Sequence, residues 1–183
     1  MISLNFPEYS FRFKNSENKR LIFDPLRKIF VVLTPEEWVR QHLIQWLIDH
    51  HKQSILHMRS EQKVDVNGLA RRCDLLVYWP DGRLKLVVEC KRPEVTINQE
   101  TFDQIAQYNS VLNADFLMVT NGLKHFYCRI SPDGTGYQFL RALDLSHKRA
   151  WLSPYASYST CFGLKSEDSM ILRFLAQLWQ EKT

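Results

Sequence analysis

Apolar and polar positions recur with two different periods along this chain, and the changes of period mark its elements. In LTPEEWVRQHLIQWLIDHH, Val39, Leu43, Trp46 and Leu47 fall at helical spacing. Thr34 is placed to cap that helix, Pro35 suits its first position, and Glu36 and Glu37 stand where the helix dipole favours negative charge. The pattern predicts a helix from about residue 35 to about residue 50, one face buried. A two-residue period then takes over in KVDVNG, RRCDLLVYW and RLKLVVECK, three expected strands, the last two joined through Pro80, Asp81 and Gly82. Upstream, YSFRF and RLIFD read as two short strands around the polar turn Asn15 to Asn18.

Helical spacing returns after Thr96 and Gln99, which stand in capping-box positions ahead of QETFDQIAQYNSVL. There Phe102, Ile105 and Leu112 mark the buried side of a second helix. ADFLMVT and LKHFYCRI supply two more strands around Asn121-Gly122. From residue 35 the expected order is therefore helix, three strands, helix, two strands. Past about residue 131 the signal weakens, until Met170, Ile171, Phe174, Leu175, Leu178 and Trp179 form an apolar stripe at helical spacing. Such a stripe packs on its own core or meets a second copy, and both readings stay open.

One strand carries chemistry at its end. Alternation places Leu84, Leu86, Val88 and Cys90 on one face, and Lys85, Val87, Glu89 and Lys91 on the other. An even hairpin loop, either Asp81-Gly82 or the four residues from Pro80 to Arg83, would set Tyr78 opposite Lys85, Leu76 opposite Val87 and Asp74 opposite Glu89. A three-residue loop would slip the register and turn Asp74 to the apolar side, where an ionised carboxylate is costly, so the even loop is expected. Opposed carboxylates repel unless a positive charge sits between them, and hard oxygen donors of this kind suit magnesium or manganese.

These residues resemble a known family. Asp74, fourteen intervening residues and then Glu89-Cys90-Lys91 are similar to the D-x(n)-E-x-K signature of PD-(D/E)xK nucleases, and the element order is similar to their core. The closer resemblance is to the N-terminal nuclease domain of type I restriction enzyme R subunits. It is carried by TPEEWVRQHLI, RRCDLLVY, LVVECKRP, Gln104 to Tyr108 (a Q-x-x-x-Y spacing) and DFLMVTNG, over roughly residues 21 to 130. The resemblance implies an α/β restriction-endonuclease-like core with a mixed central sheet flanked by helices. An N-terminal hairpin and a C-terminal helical extension (about 131 to 183) would complete a single domain.

It also implies roles. Asp74, Glu89 and the Cys90 carbonyl would hold Mg2+ or Mn2+, and Lys91 would be the catalytic lysine. Gln104 and Tyr108 would support DNA or that lysine, and a helix glutamate would complete the site. Glu36 is preferred over Glu37 for this last role because it shares a face with Val39 and Leu43 and precedes Arg40 by four residues. Arg72, Arg92 and Lys124, together with Gln104 and Tyr108, are the expected DNA contacts, within a basic rim that extends to Arg71, His125, His147, Lys148 and Arg149. Cys73 stands where many members have proline.

Composition narrows these readings without choosing among them. A chain of 183 residues with 45% hydrophobic content suits one domain with its own core. No stretch resembles a membrane span or a signal peptide, which points to a cytoplasmic protein with no membrane partner. Cys73, Cys90, Cys128 and Cys161 lack C-x-x-C spacing, and the histidines show no ligand spacing, so a zinc site is not expected. The net charge of +4 is compatible with a polyanionic partner and equally with an ordinary surface. No G-x-x-x-x-G-K-[ST] loop occurs, so any DNA translocation would need a separate motor or specificity subunit. The favoured function is divalent-metal-dependent DNA cleavage. The rivals are an inactive nucleic-acid-binding or assembly module of the same fold and a structure-selective, junction-resolvase-like nuclease, for which a homodimer through the C-terminal stripe would matter.

Overall fold

A computed structural model of the protein describes residues 2–66, 68–98, 101, 105, 109, 111–130 and 137–146, with Val66 and Tyr137 described by backbone alone. The chain opens with a three-stranded antiparallel sheet of β1 (Phe13–Ser16), β2 (Lys19–Asp24) and β3 (Ile29–Val32). Glu17 and Asn18 both take positive φ, 51° and 60°, as a tight hairpin turn requires. The expected pair of strands is thus joined by a third. The Asp24 carboxylate accepts from the Leu26 and Arg27 amides at 2.8 and 3.0 Å, reversing the chain so that IFVV returns along β2.

Helix α1 (Pro35–Asp49) begins as the sequence indicates, with Thr34 Oγ1 accepting from the Glu37 amide at 3.0 Å. Val39, Leu43, Ile44 and Leu47 are fully buried. Each such side chain contributes on the order of 1.5–3 kcal/mol by leaving water. Trp46 is partly buried, packs against the same core cluster and also meets two rings, His51 at 4.3 Å and Phe6 at 6.0 Å. Residues 2 to 11 run as a strap across this helix. Phe11 packs on Trp38 and His42, the Trp38 indole donates to the Ile2 carbonyl at 3.2 Å, and the Asn5 amide donates to the Gly122 carbonyl at 2.7 Å.

The main sheet has six strands in sequence order: β4 (Met58–Val66), β5 (Leu69–Tyr78), β6 (Leu84–Cys90), β7 (Phe116–Thr120), β8 (His125–Ile130) and β9 (Tyr137–Leu140). β6 and β7 are parallel and every other neighbouring pair is antiparallel. One face meets α1 in a cluster that includes Leu43, Leu47, Leu75, Val77, Leu86, Val88 and Met118. The other face carries Leu76, Val87, Leu117 and Val119 against Ile97 and Ile105. Of the expected second helix, Thr101, Ile105, Asn109, Val111 and Leu112 are described, and all are helical; Gln104 and Tyr108 lie outside the described residues. The described part is therefore mostly β, with α1 its one helix of defined length, rather than a sheet shown flanked by helices. The C-terminal stripe and His147 to Arg149 also lie outside it. Among the described residues no helix is long and apolar enough to cross a membrane.

The β5–β6 connection departs from the even loop. The Trp79 amide donates to the Arg83 carbonyl at 2.8 Å and the Gly82 amide to the Trp79 carbonyl at 2.9 Å, which leaves a three-residue loop of Pro80, Asp81 and Gly82. Tyr78 accordingly faces Leu84, not Lys85. A bulge then absorbs Lys85, and from Val77–Leu86 onward the register is the one expected: Leu76 faces Val87 and Leu75 faces Val88. The extra residue also moves Leu84 off the face of Leu86 and into the cluster of Val87. Lys85 lies 4.0 Å from the Trp79 ring and donates to Gln53 at 2.9 Å.

Two glycines separate backbone strain from steric closure. Gly82 has φ +84° with open space where a Cβ would go, whereas a Cβ on Gly122 (φ +81°) would meet Leu4 Cδ2 at 2.8 Å and Val39 Cγ2 at 3.0 Å. In urea unfolding, Gly82→Ala is expected to cost about 1 kcal/mol and Gly122→Ala about 1–2 kcal/mol more, because the second also displaces the strap from α1. Equal losses would show that the strap yields freely.

Candidate active site

The carboxyl ends of β6 and β7 point to one edge of the sheet, since the two strands are parallel. Asp74 of β5 and Glu89 of β6 lie there, one step beyond the last paired residues, Leu75 and Val88. The ladder gives way at this step. Asp74 Oδ2, in place of a backbone carbonyl, accepts from the Cys90 amide at 2.6 Å. Cys73 packs in the second apolar cluster while Leu75 and Val77 pack in the first, so strict alternation slips at Asp74 and its carboxylate meets α1. Lys91 is fixed by its own amide, which donates to the Thr120 carbonyl of β7 at 2.8 Å, and its Nζ lies 2.7 Å from Glu89 Oε1.

A further acidic residue joins them. On β4, Ser60 faces Leu75 and Gln62 faces Cys73, so Glu61 stands beside Asp74, with a positive φ of 54°. The sequence held a signal for it: the dipeptide Asn67-Gly68 favours a two-residue hairpin, whose register would bring Glu61 to Asp74. Arg40 of α1, also missed as a site residue, ties the elements together. It donates to Asp74 Oδ1 at 2.8 Å and to Glu37 Oε2 at 2.9 Å, is in contact with Glu61, and has Glu36 Oε1 at 3.7 Å. Glu37 is buried and also receives Gln41 at 2.8 Å and Arg27 at 3.5 Å. Glu36 stands half-exposed at the rim, where its charge is felt by Asp74, Glu89 and Lys91.

Burial dominates the electrostatics. Asp74 and Glu89 are 8% and 4% exposed. Desolvation raises the Asp74 carboxyl to about 6, with Arg40 and the Cys90 amide opposing the rise. Desolvation, reinforced by Asp74, raises Glu89 to about 7 against the pull of Lys91. Lys91 itself is raised: burial disfavours its charge, but its hydrogen bond to Glu89 and the surrounding carboxylates outweigh that. It is a held cation, not a ready proton acceptor. The Cys90 thiol is pushed well up by burial and by Asp74, which keeps its sulfur protonated.

The other expected residues are placed as follows. Arg72 on β5 is exposed and bonds Glu61 at 2.7 Å. Arg92 is exposed directly after Lys91, and Lys124 is exposed in the β7–β8 turn, where its carbonyl accepts from the Asn121 amide. Among the described residues, no three His, Cys, Asp or Glu side chains gather closely enough to hold an ion as they stand. The oxygen donors at this strand end, the Asp74 and Glu89 carboxylates and the backbone carbonyl of the residue between Glu89 and Lys91, are all hard, the kind that suits magnesium or manganese.

The fold and this edge define a mixed-sheet domain with a buried acid pair and a lysine at the ends of two parallel strands. The family model described as type I restriction enzyme R protein N terminus (HSDR_N) matches residues 35–143, more than half of the chain, and the chain belongs to that family. The matched segment starts at the first residue of α1 and ends just past β9. No curated protein and no solved structure matches it.

The acid pair carries a pH signature. Both carboxyls are raised by folding, so each contribution to stability is fully present below its ordinary value, 3.8 for Asp74 and 4.5 for Glu89, and is lost as pH rises through the folded values near 6 and 7. Without divalent ions, the stability of Glu89→Gln relative to wild type is expected to climb by about 2–3 kcal/mol between pH 4.5 and 7.5 in urea titrations. A flat difference would mean that Glu89 is not strained by its burial.

Proposed function

We propose that this chain is a divalent-metal-dependent nuclease of the PD-(D/E)xK type that hydrolyses DNA phosphodiester bonds. The observation that carries the proposal is the β5–β6 register, which sets Asp74 beside Glu89 at the strand end that also presents the Cys90 carbonyl and Lys91. Membership in the type I R protein N-terminal family supports it.

Asp74, Glu89 and the Cys90 carbonyl would hold Mg2+ or Mn2+. When bound, such an ion supplies positive charge against the phosphate and makes a water more acidic. Lys91, held protonated against Glu89, offsets the charge that develops on the phosphoryl oxygens and orients the attacking water. Glu36, half-exposed at the rim, is placed to accept the proton that water gives up. Attack at phosphorus forms the new P–O bond as the bond to one sugar oxygen breaks. Arg72, Arg92 and Lys124 would contact flanking phosphates, and Gln104 and Tyr108 would support the DNA or Lys91. Translocation would fall to a separate motor or specificity subunit, in a cytoplasmic setting that suits the free thiols of Cys73, Cys90 and Cys128.

A second reading, a DNA-binding or assembly module that has lost catalysis, is favoured by one observation: both Asp74 oxygens already have partners, in Arg40 and the Cys90 amide. Purified protein with Mg2+ or Mn2+ separates the two on plasmid and branched DNA. The nuclease is expected to cut, and Asp74→Ala, Glu89→Gln and Lys91→Ala are each expected to lower the rate by about a hundredfold or more while DNA binding persists. Binding without cutting in wild type would establish the module instead.

A further inference from the structure

Among the described residues, the Arg40 guanidinium touches acids from three separate elements: Glu36 and Glu37 on α1, Glu61 on β4 and Asp74 on β5. The residue is 4% exposed. Its Nη1 serves Glu37 and Glu61, and its Nη2 serves Asp74 with Glu36 as a more distant neighbour. Its Nε is buried with no hydrogen-bond partner among the described residues, so the group is placed by its carboxylates rather than locked on every side. Asp74, the acid most central to the row, is left with no uncommitted oxygen.

We propose that Arg40 is the resident counter-ion of the metal site: an internal cation that neutralises the carboxylate row while no ion is bound and yields Asp74 Oδ1 to an incoming divalent ion. The inference rests on the metal-dependent reading above. Release does not strand the guanidinium, because Nη1 keeps Glu37 and Glu61 while Nη2 has Glu36 within a short swing. Loss of Arg40 would leave the buried Glu37 and Asp74, and the half-buried Glu61, with less compensation, which raises their demand for any other cation. Arginine suits the task where lysine does not, because a planar fork spans two groups of acids that a single ammonium cannot.

Calorimetric titration of Mn2+ into wild type, Asp74→Ala, Arg40→Met and Arg40→Lys, with melting temperatures of each with and without the ion, tests this apart from any cleavage assay. Arg40→Met is expected to melt lower without metal, to bind Mn2+ roughly tenfold more tightly and to gain more in melting temperature from the ion than wild type does. Arg40→Lys should shift in the same direction by less, and it serves alone where the methionine variant does not fold. Affinity unchanged in both variants, with wild-type binding intact and dependent on Asp74, would reduce Arg40 to a structural ion-pair partner and overturn the proposal. Weaker binding would overturn it differently, by showing that Arg40 prepares Asp74 for the ion instead of yielding to it. If wild type itself shows no Asp74-dependent binding, the metal-dependent reading fails and this proposal falls with it.

Discussion

The register of β5 against its two neighbours governs everything at the acidic edge of the domain. A slip of one residue on either side would exchange the faces of a whole strand, sending leucines to the site and carboxylates to the core. Two unlike turns hold that register. On the β4 side the pairing of Val66 with Leu69 sets Ser60 opposite Leu75 and brings Glu61 to Asp74. On the β6 side a three-residue loop would misplace the strand by one, and the bulge at Lys85 cancels the error before the chain reaches Val87. The apolar clusters on both faces then make the result costly to change, since Leu75, Leu76, Val77, Leu86, Val87 and Val88 are essentially without exposure.

The Asp74–Glu89 juxtaposition was legible in the sequence, though by a route that differs from the structure's. An even loop and an odd loop followed by a bulge give the same register at Leu76–Val87, and no residue type in GRLKLVV announces the extra residue. Burial shows what the reading could not. Lys85 is kept inside because the Trp79 ring and Gln53 take its ammonium, an arrangement between distant segments that strand alternation does not encode. Glu61 was within reach, because Asn67-Gly68 is a strong hairpin signal, but KVDVNG was read as strand through the turn itself. β3 was hidden for a simpler reason: IFVV is a four-residue run without alternation, and its turn depends on the Asp24 side chain. Arg40 appeared in the sequence only as the partner of Glu36 on a helix. Its approach to β4 and β5 is a tertiary fact.

Stability and chemistry pull apart at this edge. The two apolar clusters account for the fold, while the carboxylate row opposes it: burial raises Asp74 and Glu89 far above their ordinary range. A network of buried ions is seldom more stabilising than apolar residues of similar size, and removing one partner from it is worse than never having built it. Arg40, Arg27 and Gln41 therefore serve first to make the acids tolerable, with Glu37 saturated by all three.

The parallel pairing of β6 with β7 explains why the acids gather at this edge and not the other. Antiparallel neighbours can be closed by a tight turn at either end, whereas parallel strands must be joined by a crossover that leaves both carboxyl ends open on one side. Here the chain leaves β6 at Lys91, pinned by the Thr120 carbonyl, and Pro93 follows two residues on, with no amide hydrogen to extend a ladder. The β7–β8 turn borders the same opening, where Asn121 accepts from the Leu123 and Lys124 amides and donates to the Val95 carbonyl. That turn fastens the exit of β6 to the exit of β7, so Glu89 and Lys91 are held at one end of the sheet by backbone contacts from both strands.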